Sequence, residues 1–165
     1  MGLIFRDNFF SAGITEIQNE AGAPAGRLDL KSAFSSSVEV YDGSGGLVCT
    51  GRFPFFSRKW IVSSPGDVEL GNLRSRISLG SKRFEYDALH RGIYEIRSPL
   101  FSREYEIFDE SGASVAHFEK ISGFFSSGAF QLTNTAMKLN DYELAAVIMG
   151  VHSIQKRDSA ASAAT

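Results

Sequence analysis

Residues 144–151 read LAAVIMGV, two helical turns with no polar side chain on any face, and a helix without a wet side must be enclosed by the rest of its chain. Its flanks delimit it. Asn140 is placed as an N-cap with Glu143 as the reciprocal partner of a capping box, and Leu139 and Leu144 are spaced as a hydrophobic staple. Lys156 and Arg157 complement the negative end of the helix dipole. These signals predict a core helix over 141–156, about 24 Å long at 1.5 Å per residue. Its apolar part is well short of the ~20 residues of a membrane span. Residues 158–165, DSAASAAT, have nothing to bury and are expected to form a flexible tail.

What encloses the helix is written in the preceding residues as a repeat. Arg52-Phe53-Pro54-Phe55-Phe56-Ser57-Arg58-Lys59-Trp60 is echoed in register by Arg97-Ser98-Pro99-Leu100-Phe101-Ser102-Arg103-Glu104-Tyr105. Serines marking the same step fall at Ser11, Ser35, Ser57, Ser81, Ser102 and Ser126, at intervals of 24, 22, 24, 21 and 24. An alternating strand follows most of them, as in Val38-Glu39-Val40-Tyr41 and Tyr105-Glu106-Ile107-Phe108. A turn such as Asp42-Gly43-Ser44-Gly45 or Asp109-Glu110-Ser111-Gly112 comes next, and then a second strand. Each unit therefore reads as one β-hairpin.

Six hairpins predict about twelve antiparallel strands, with residues 3–9 as a leading strand. A sheet of that size splits into a sandwich or closes. Eight strands close around side chains alone, whereas an eleven-stranded can accommodates a helix, and the apolar segment is the natural plug. The expected fold is mainly β: a closed barrel of about twelve strands built from six hairpins around a buried C-terminal helix, in one domain over residues 1–157. Ala145, Ala146 and Gly150 would let strands approach the helix closely.

The order of parts resembles the LURP-one-related proteins and their bacterial YxjI-like relatives, which share the tubby C-terminal fold with tubby-like proteins and phospholipid scramblases. The resemblance is carried by EVYDGSGGLVCTGR, EYEIFDESGASVAHFEK, the strand start Arg58-Lys59-Trp60 and the closing Asp141-Tyr142-Glu143-Leu144-Ala145-Ala146, and spans the chain to Arg157. It implies a closed twelve-stranded barrel threaded by the helix, an intracellular setting and no catalysis. Related tubby domains bind phosphoinositide headgroups. The calcium-binding and palmitoylated-cysteine stretches of a scramblase are missing from the sequence.

Motifs for chemistry are sparse. His90, His117 and His152 lack ligand spacing with one another or with Cys49, so no metal or other cofactor is expected. His152 shares the helix side of Ile148 and Met149 near the barrel mouth, where a rim or hydrogen-bonded histidine is the simplest reading. Gly43-Ser44-Gly45-Gly46 has no following Lys-Ser/Thr and reads as a hairpin turn. Glu39 and Glu106 recur at matching hairpin positions, which fits an outward strand face rather than a catalytic pair. A non-enzymatic protein is expected. The single Cys49, in an apolar strand, fits a reduced thiol and a cytoplasmic protein, as does an N-terminus, MGLIFRDNFF, without a secretory signal or a myristoylation motif.

Charge is segregated. Residues 51–103 hold ten of the seventeen Lys and Arg against five acids, so the middle of the chain is about +5 and the flanks about −7. Arg74, Arg76, Lys82 and Arg83, with Arg58 and Lys59, are the candidate residues for an anionic ligand, since guanidinium forks suit phosphate oxygens. The expected function is a binding module that engages anionic phospholipid headgroups or a membrane surface through a basic barrel face. The alternatives are a protein-interaction module docking through Phe53-Pro54-Phe55-Phe56 and Pro99-Leu100-Phe101, and a small-ligand carrier or enzyme with a cavity near His152. A net charge of −2 gives nucleic acid no support as a partner.

Overall fold

Strands with period-two alternation, separated by turn residues, fold into one closed antiparallel sheet in the computed structural model, which describes residues 2–31, 37–76, 81–99, 102–123 and 126–164. The strands are β1 (Gly2–Phe5), β2 (Gly13–Asn19), β3 (Pro24–Leu30), β4 (Ser37–Asp42), β5 (Leu47–Arg52) and β6 (Trp60–Ser63). They continue with β7 (Glu69–Arg76), β8 (Lys82–Asp87), β9 (Ile93–Ser98), β10 (Tyr105–Phe108), β11 (Ser114–Gly123) and β12 (Ser126–Asn134). Each strand pairs with its chain neighbours, and β1 pairs with β12 from Gly2↔Thr133 to Phe5↔Phe130 to close the barrel.

The closure corrects the hairpin count. Five hairpins, β2–β3 to β10–β11, are flanked by two terminal strands that supply the last pair jointly. The leading strand is also shorter than residues 3–9: after Phe5 the backbone turns, with Phe9 N donating to Arg6 O at 3.1 Å and Ser11 N to Asn8 O at 2.8 Å. This turn drops Phe9 and Phe10 into the barrel end, where Phe9 packs 4.8 Å from Phe5 and 5.1 Å from Phe118 between ring centroids. Of the serines marking the repeat, Ser35 lies outside the described residues, as do Leu100 and Phe101.

Three of the five hairpin turns repeat one hydrogen-bond scheme. Asp42 Oδ1 accepts from Ser44 N (2.9 Å), Ser44 Oγ (2.6 Å) and Gly46 N (3.0 Å). Asp109 Oδ1 accepts from Ser111 N (2.9 Å), Ser111 Oγ (2.6 Å) and Ala113 N (3.1 Å), and Asn19 Oδ1 from the amides of Ala21 and Ala23. The side chain thus satisfies amides that the turn would leave open. The left-handed step goes to Gly45 (φ 86°) and Gly112 (φ 83°), where a Cβ would be strained.

Inside the barrel runs α1 (Asp141–Ala163), with Leu144–Ala146 and Val147–Met149 wholly enclosed and one continuous buried cluster joining it to the strands. The helix is seven residues longer than 141–156, and residues 158–163 are helical rather than a flexible tail. No Gly or Pro occurs between Val151 and Ala163, and the alanines there have the highest helix propensity, so the helix continues into solvent after its buried part ends. Gly150 serves as expected. A Cβ there would lie 2.4 Å from Trp60 Cδ1, and one at Gly51 on β5 would lie 2.6 Å from Trp60 Cζ2, so the indole fills a slot between helix and sheet. Its Nε1 donates to Ala146 O at 3.1 Å.

The N-terminus of α1 is half a capping box. Asn140 Oδ1 accepts from Glu143 N at 2.7 Å, but the Glu143 carboxylate does not return to Asn140. It is buried and accepts from both terminal nitrogens of Arg91 at 2.7 Å and from Tyr86 Oη at 2.6 Å. Arg91 also donates to Leu70 O (2.6 Å) and Lys138 O (3.2 Å), tying the β8–β9 connection to the start of the helix. A buried carboxylate requires such partners.

Candidate anion-binding surface

Because consecutive strands are antiparallel, connections alternate between the two barrel ends. Hairpin turns and the start of α1 lie at one end. The other end collects the β1–β2, β3–β4, β5–β6, β7–β8, β9–β10 and β11–β12 connections and the exit of α1, where Arg157 Nη1 donates to Ser57 O at 3.2 Å. Charge follows this division. At the loop end, residues 6–12, 31, 52–59, 74–76, 81–83, 97–99, 102–104, 119–123 and 155–164 carry 14 Lys and Arg against 4 Asp and Glu, a net +10. At the turn end, residues 19–24, 42–46, 64–69, 87–93, 108–114 and 134–143 carry 2 against 9, a net −7. The protein is an electric dipole along its barrel axis.

The residues singled out from the sequence share that loop end but not one face. Arg74 and Arg76 on β7 and Arg83 on β8 lie on the outer side of the sheet, with Arg74 opposite Glu85 and Arg76 opposite Arg83. Lys82 has the inward parity of Phe84 and Tyr86 and is exposed because it stands at the strand's end, so it belongs to the barrel mouth rather than the arginine face. The β6–β7 register, Trp60↔Leu73, puts Arg58 and Lys59 in the exposed connection just before β6, at the end where Arg74 and Arg76 also lie.

The arginine face is largely neutralised. Glu85 takes Arg74 on Oε1 and Arg76 on Oε2, each at 2.5 Å. Glu95 is likewise shared by Arg97 (2.5 Å) and Arg83 (3.6 Å). Arg97, which the sequence reading left out, stacks 4.3 Å from the Phe108 ring centroid. These side chains line an open cleft of about 770 Å³ that Asp109 and Glu110 also line. Four arginines against four acids give this cleft no excess charge, so an anion entering it must displace carboxylates from their guanidinium partners. By contrast, Arg52, Arg58, Lys59 and Lys82 make no ion pair among the described residues and face solvent at the loop end.

Two exposed phenylalanines stand among those free cations. In the β5–β6 connection Ser57 N donates to Pro54 O at 3.0 Å, closing a turn with Phe55 and Phe56 at its tip. Their rings touch edge to face at 4.2 Å and are 89% and 94% exposed. Phe53, by contrast, is half-buried packing: it meets Trp60 at 5.1 Å, with the Arg157 guanidinium 3.6 Å above its ring. The sequence grouped Phe53, Phe55 and Phe56 together, and only the turn hydrogen bond separates them.

His152 is buried against Phe10, ring centroids 4.4 Å apart, with no hydrogen bond to Nε2. Burial, reinforced by Lys156 and Arg103, pushes its pKa down to about 4. The sequence anticipated a rim or hydrogen-bonded histidine; His152 lies near the loop end, but it is buried with the Phe10 ring packed on it. Burial pushes the Cys49 thiol up to about 12. Glu39 faces outward, accepts from Tyr41 Oη and shares Lys31 with its cross-strand neighbour Asp29, and Glu106 accepts from Ser114 Oγ. No group of three or more metal-ligating side chains occurs among the described residues, and no helix among them is long and apolar enough to cross a membrane.

Fold and surface together define a closed twelve-stranded antiparallel barrel around a C-terminal helix, charged oppositely at its two ends. The same architecture occurs in the X-ray structure of a protein from Arabidopsis thaliana, with a TM-score of 0.57 and 16% identity over 96% of this chain and 91% of that one. No family model and no curated protein matches the sequence.

Proposed function

We propose that this protein is a non-enzymatic binding module of the LURP-one-related, YxjI-like kind that engages anionic phospholipid headgroups at a cytoplasmic membrane surface. The observation that carries the reading is the separation of charge along the barrel axis, net +10 at the loop end and −7 at the turn end, in a chain whose total is only −2. A dipole of this kind orients the protein in the field of an anionic surface and repels its other end. Arg52, Arg58, Lys59 and Lys82, which make no ion pair among the described residues, are among the cations available without breaking one. Arg74, Arg76 and Arg83 contribute only where a headgroup phosphate outcompetes Glu85 and Glu95.

Sedimentation with phosphatidylserine-rich vesicles and with neutral phosphatidylcholine vesicles, at low and physiological ionic strength, tests this. The expected result is recovery with anionic vesicles alone, weakening as salt screens the surface charges. Equal recovery with both vesicle types, or with neither, contradicts it.

A further inference from the structure

The turn at Pro54–Ser57 displays two phenylalanines in water. Phe56 has φ 60°, a left-handed conformation that glycine or asparagine ordinarily takes and that a bulky side chain adopts only when its surroundings hold it there. The holding contacts are all at the base of the loop. Ser57 N is bonded to Pro54 O, Ser57 Oγ accepts from Lys59 N at 3.0 Å, and Ser57 O accepts from Arg157 Nη1 on the helix. Phe53, one residue before Pro54, is clamped between Trp60 and Arg157. The tip is thus carried on a fixed base joined to the core, and its two rings pack on each other rather than on the barrel.

The surroundings of the tip select its partner. Arg58 and Lys59 follow it, Arg52 precedes it, and the connections beside it at the same barrel end hold the rest of the basic excess. An apolar tip encircled by cations fits an anionic bilayer, whose headgroups meet the charges while its acyl region takes the rings. An acidic protein surface would meet the cations equally well, but it would need a preformed apolar pocket for two adjacent, projecting rings, whereas a bilayer has an apolar layer behind its charge everywhere. We infer that Phe55 and Phe56 form a membrane-inserting finger, so that the protein docks on an anionic bilayer with its loop end down, the barrel axis upright and the acidic turn end facing away. This inference rests on the headgroup-binding reading above and adds which end touches the membrane and how it is held.

The test is vesicle binding by the full chain and two double variants. Phe55→Ser with Phe56→Gly removes the finger while keeping a residue suited to φ 60°, and its thermal unfolding should match that of the wild type. Its affinity for phosphatidylserine-rich vesicles should fall at least about tenfold, the minimum expected from withdrawing two phenyl rings from an apolar phase. Val68→Ser with Met137→Ser, which removes two exposed apolar side chains from the turn end, should bind as well as the wild type. If the wild type binds anionic vesicles and the finger variant binds equally well, loop-end insertion is wrong while headgroup binding stands. If the turn-end variant alone loses binding, the other end of the barrel touches the membrane and the inference is overturned. If the wild type binds no anionic vesicle, both readings fall. A dimer by light scattering that the finger variant abolishes would assign the rings to a second copy and also overturn it.

Discussion

Trp60 and Gly150 are in such close contact that a single methyl group at position 150 would sit 2.4 Å from the indole Cδ1. Replacing glycine by alanine inside a helix ordinarily stabilises it by about 1 kcal/mol. Here the sign should invert, because Trp60 is fully buried and pinned by its bond to Ala146 O and cannot retreat. Gly150→Ala is expected to destabilise by about 1–3 kcal/mol, the usual cost of overpacking. Urea unfolding measures it, and a variant as stable as the wild type would show that the slot has spare room.

The pair Arg91–Glu143 fastens the helix start to the β8–β9 connection through two 2.7 Å bonds. Arg91→Met should cost about 3–5 kcal/mol because it strands a buried carboxylate. Glu143→Leu should be costly as well, leaving Arg91 and Tyr86 Oη without their acceptor. The double variant should lose less than the sum of the two, by about 1–3 kcal/mol. A double-mutant cycle that sums to additivity would mean the two side chains act independently.

His152 makes stability depend on pH. The unfolded chain titrates this group at its ordinary 6.5 and the folded protein at about 4. Between those values the unfolded state carries a proton that the native state refuses, so the native state loses stability as pH falls through this window and loses no more below it. The full swing is on the order of 3 kcal/mol. Comparing wild type with His152→Leu at about pH 7 and about pH 4.5 isolates it: the variant should lose distinctly less on acidification. Equal losses would show that the imidazole is hydrated when folded.

How much of this was legible in the sequence depends on the range of the interactions involved. Periodicity and turn chemistry are local, so the helix at Leu144–Val151, the alternation of β4 and β10 and the Asp42 and Asp109 turns could be read directly. The partner of β12 could not, since β1 lies at the far end of the chain and looks like any short apolar segment. Glu143 misled for a related reason. Its spacing from Asn140 satisfies a capping box, and nothing nearby reveals that Arg91 offers it two charged donors. At the candidate surface, the excess of Lys and Arg over residues 51–103 was visible, but as a block of sequence rather than as one end of a barrel. Sorting charges by alternate connections would have exposed the +10 and −7 ends once the hairpin repeat was recognised. Lys82 would then have fallen to the mouth by parity alone. The exposure of Phe55 and Phe56 required the structure, because Phe53 two residues earlier is packing and the sequence does not distinguish them.

The central claim, an anionic bilayer engaged at the loop end, is tested most directly by a fluorophore at the tip. The only native tryptophan, Trp60, is fully buried and supplies a constant background, so Phe55→Trp adds one solvent-exposed reporter. On addition of phosphatidylserine-rich vesicles its emission should shift to the blue and become shielded from an aqueous quencher, with no change on addition of phosphatidylcholine vesicles. An emission that stays at the solvent-exposed wavelength while the protein sediments with anionic vesicles would contradict the account.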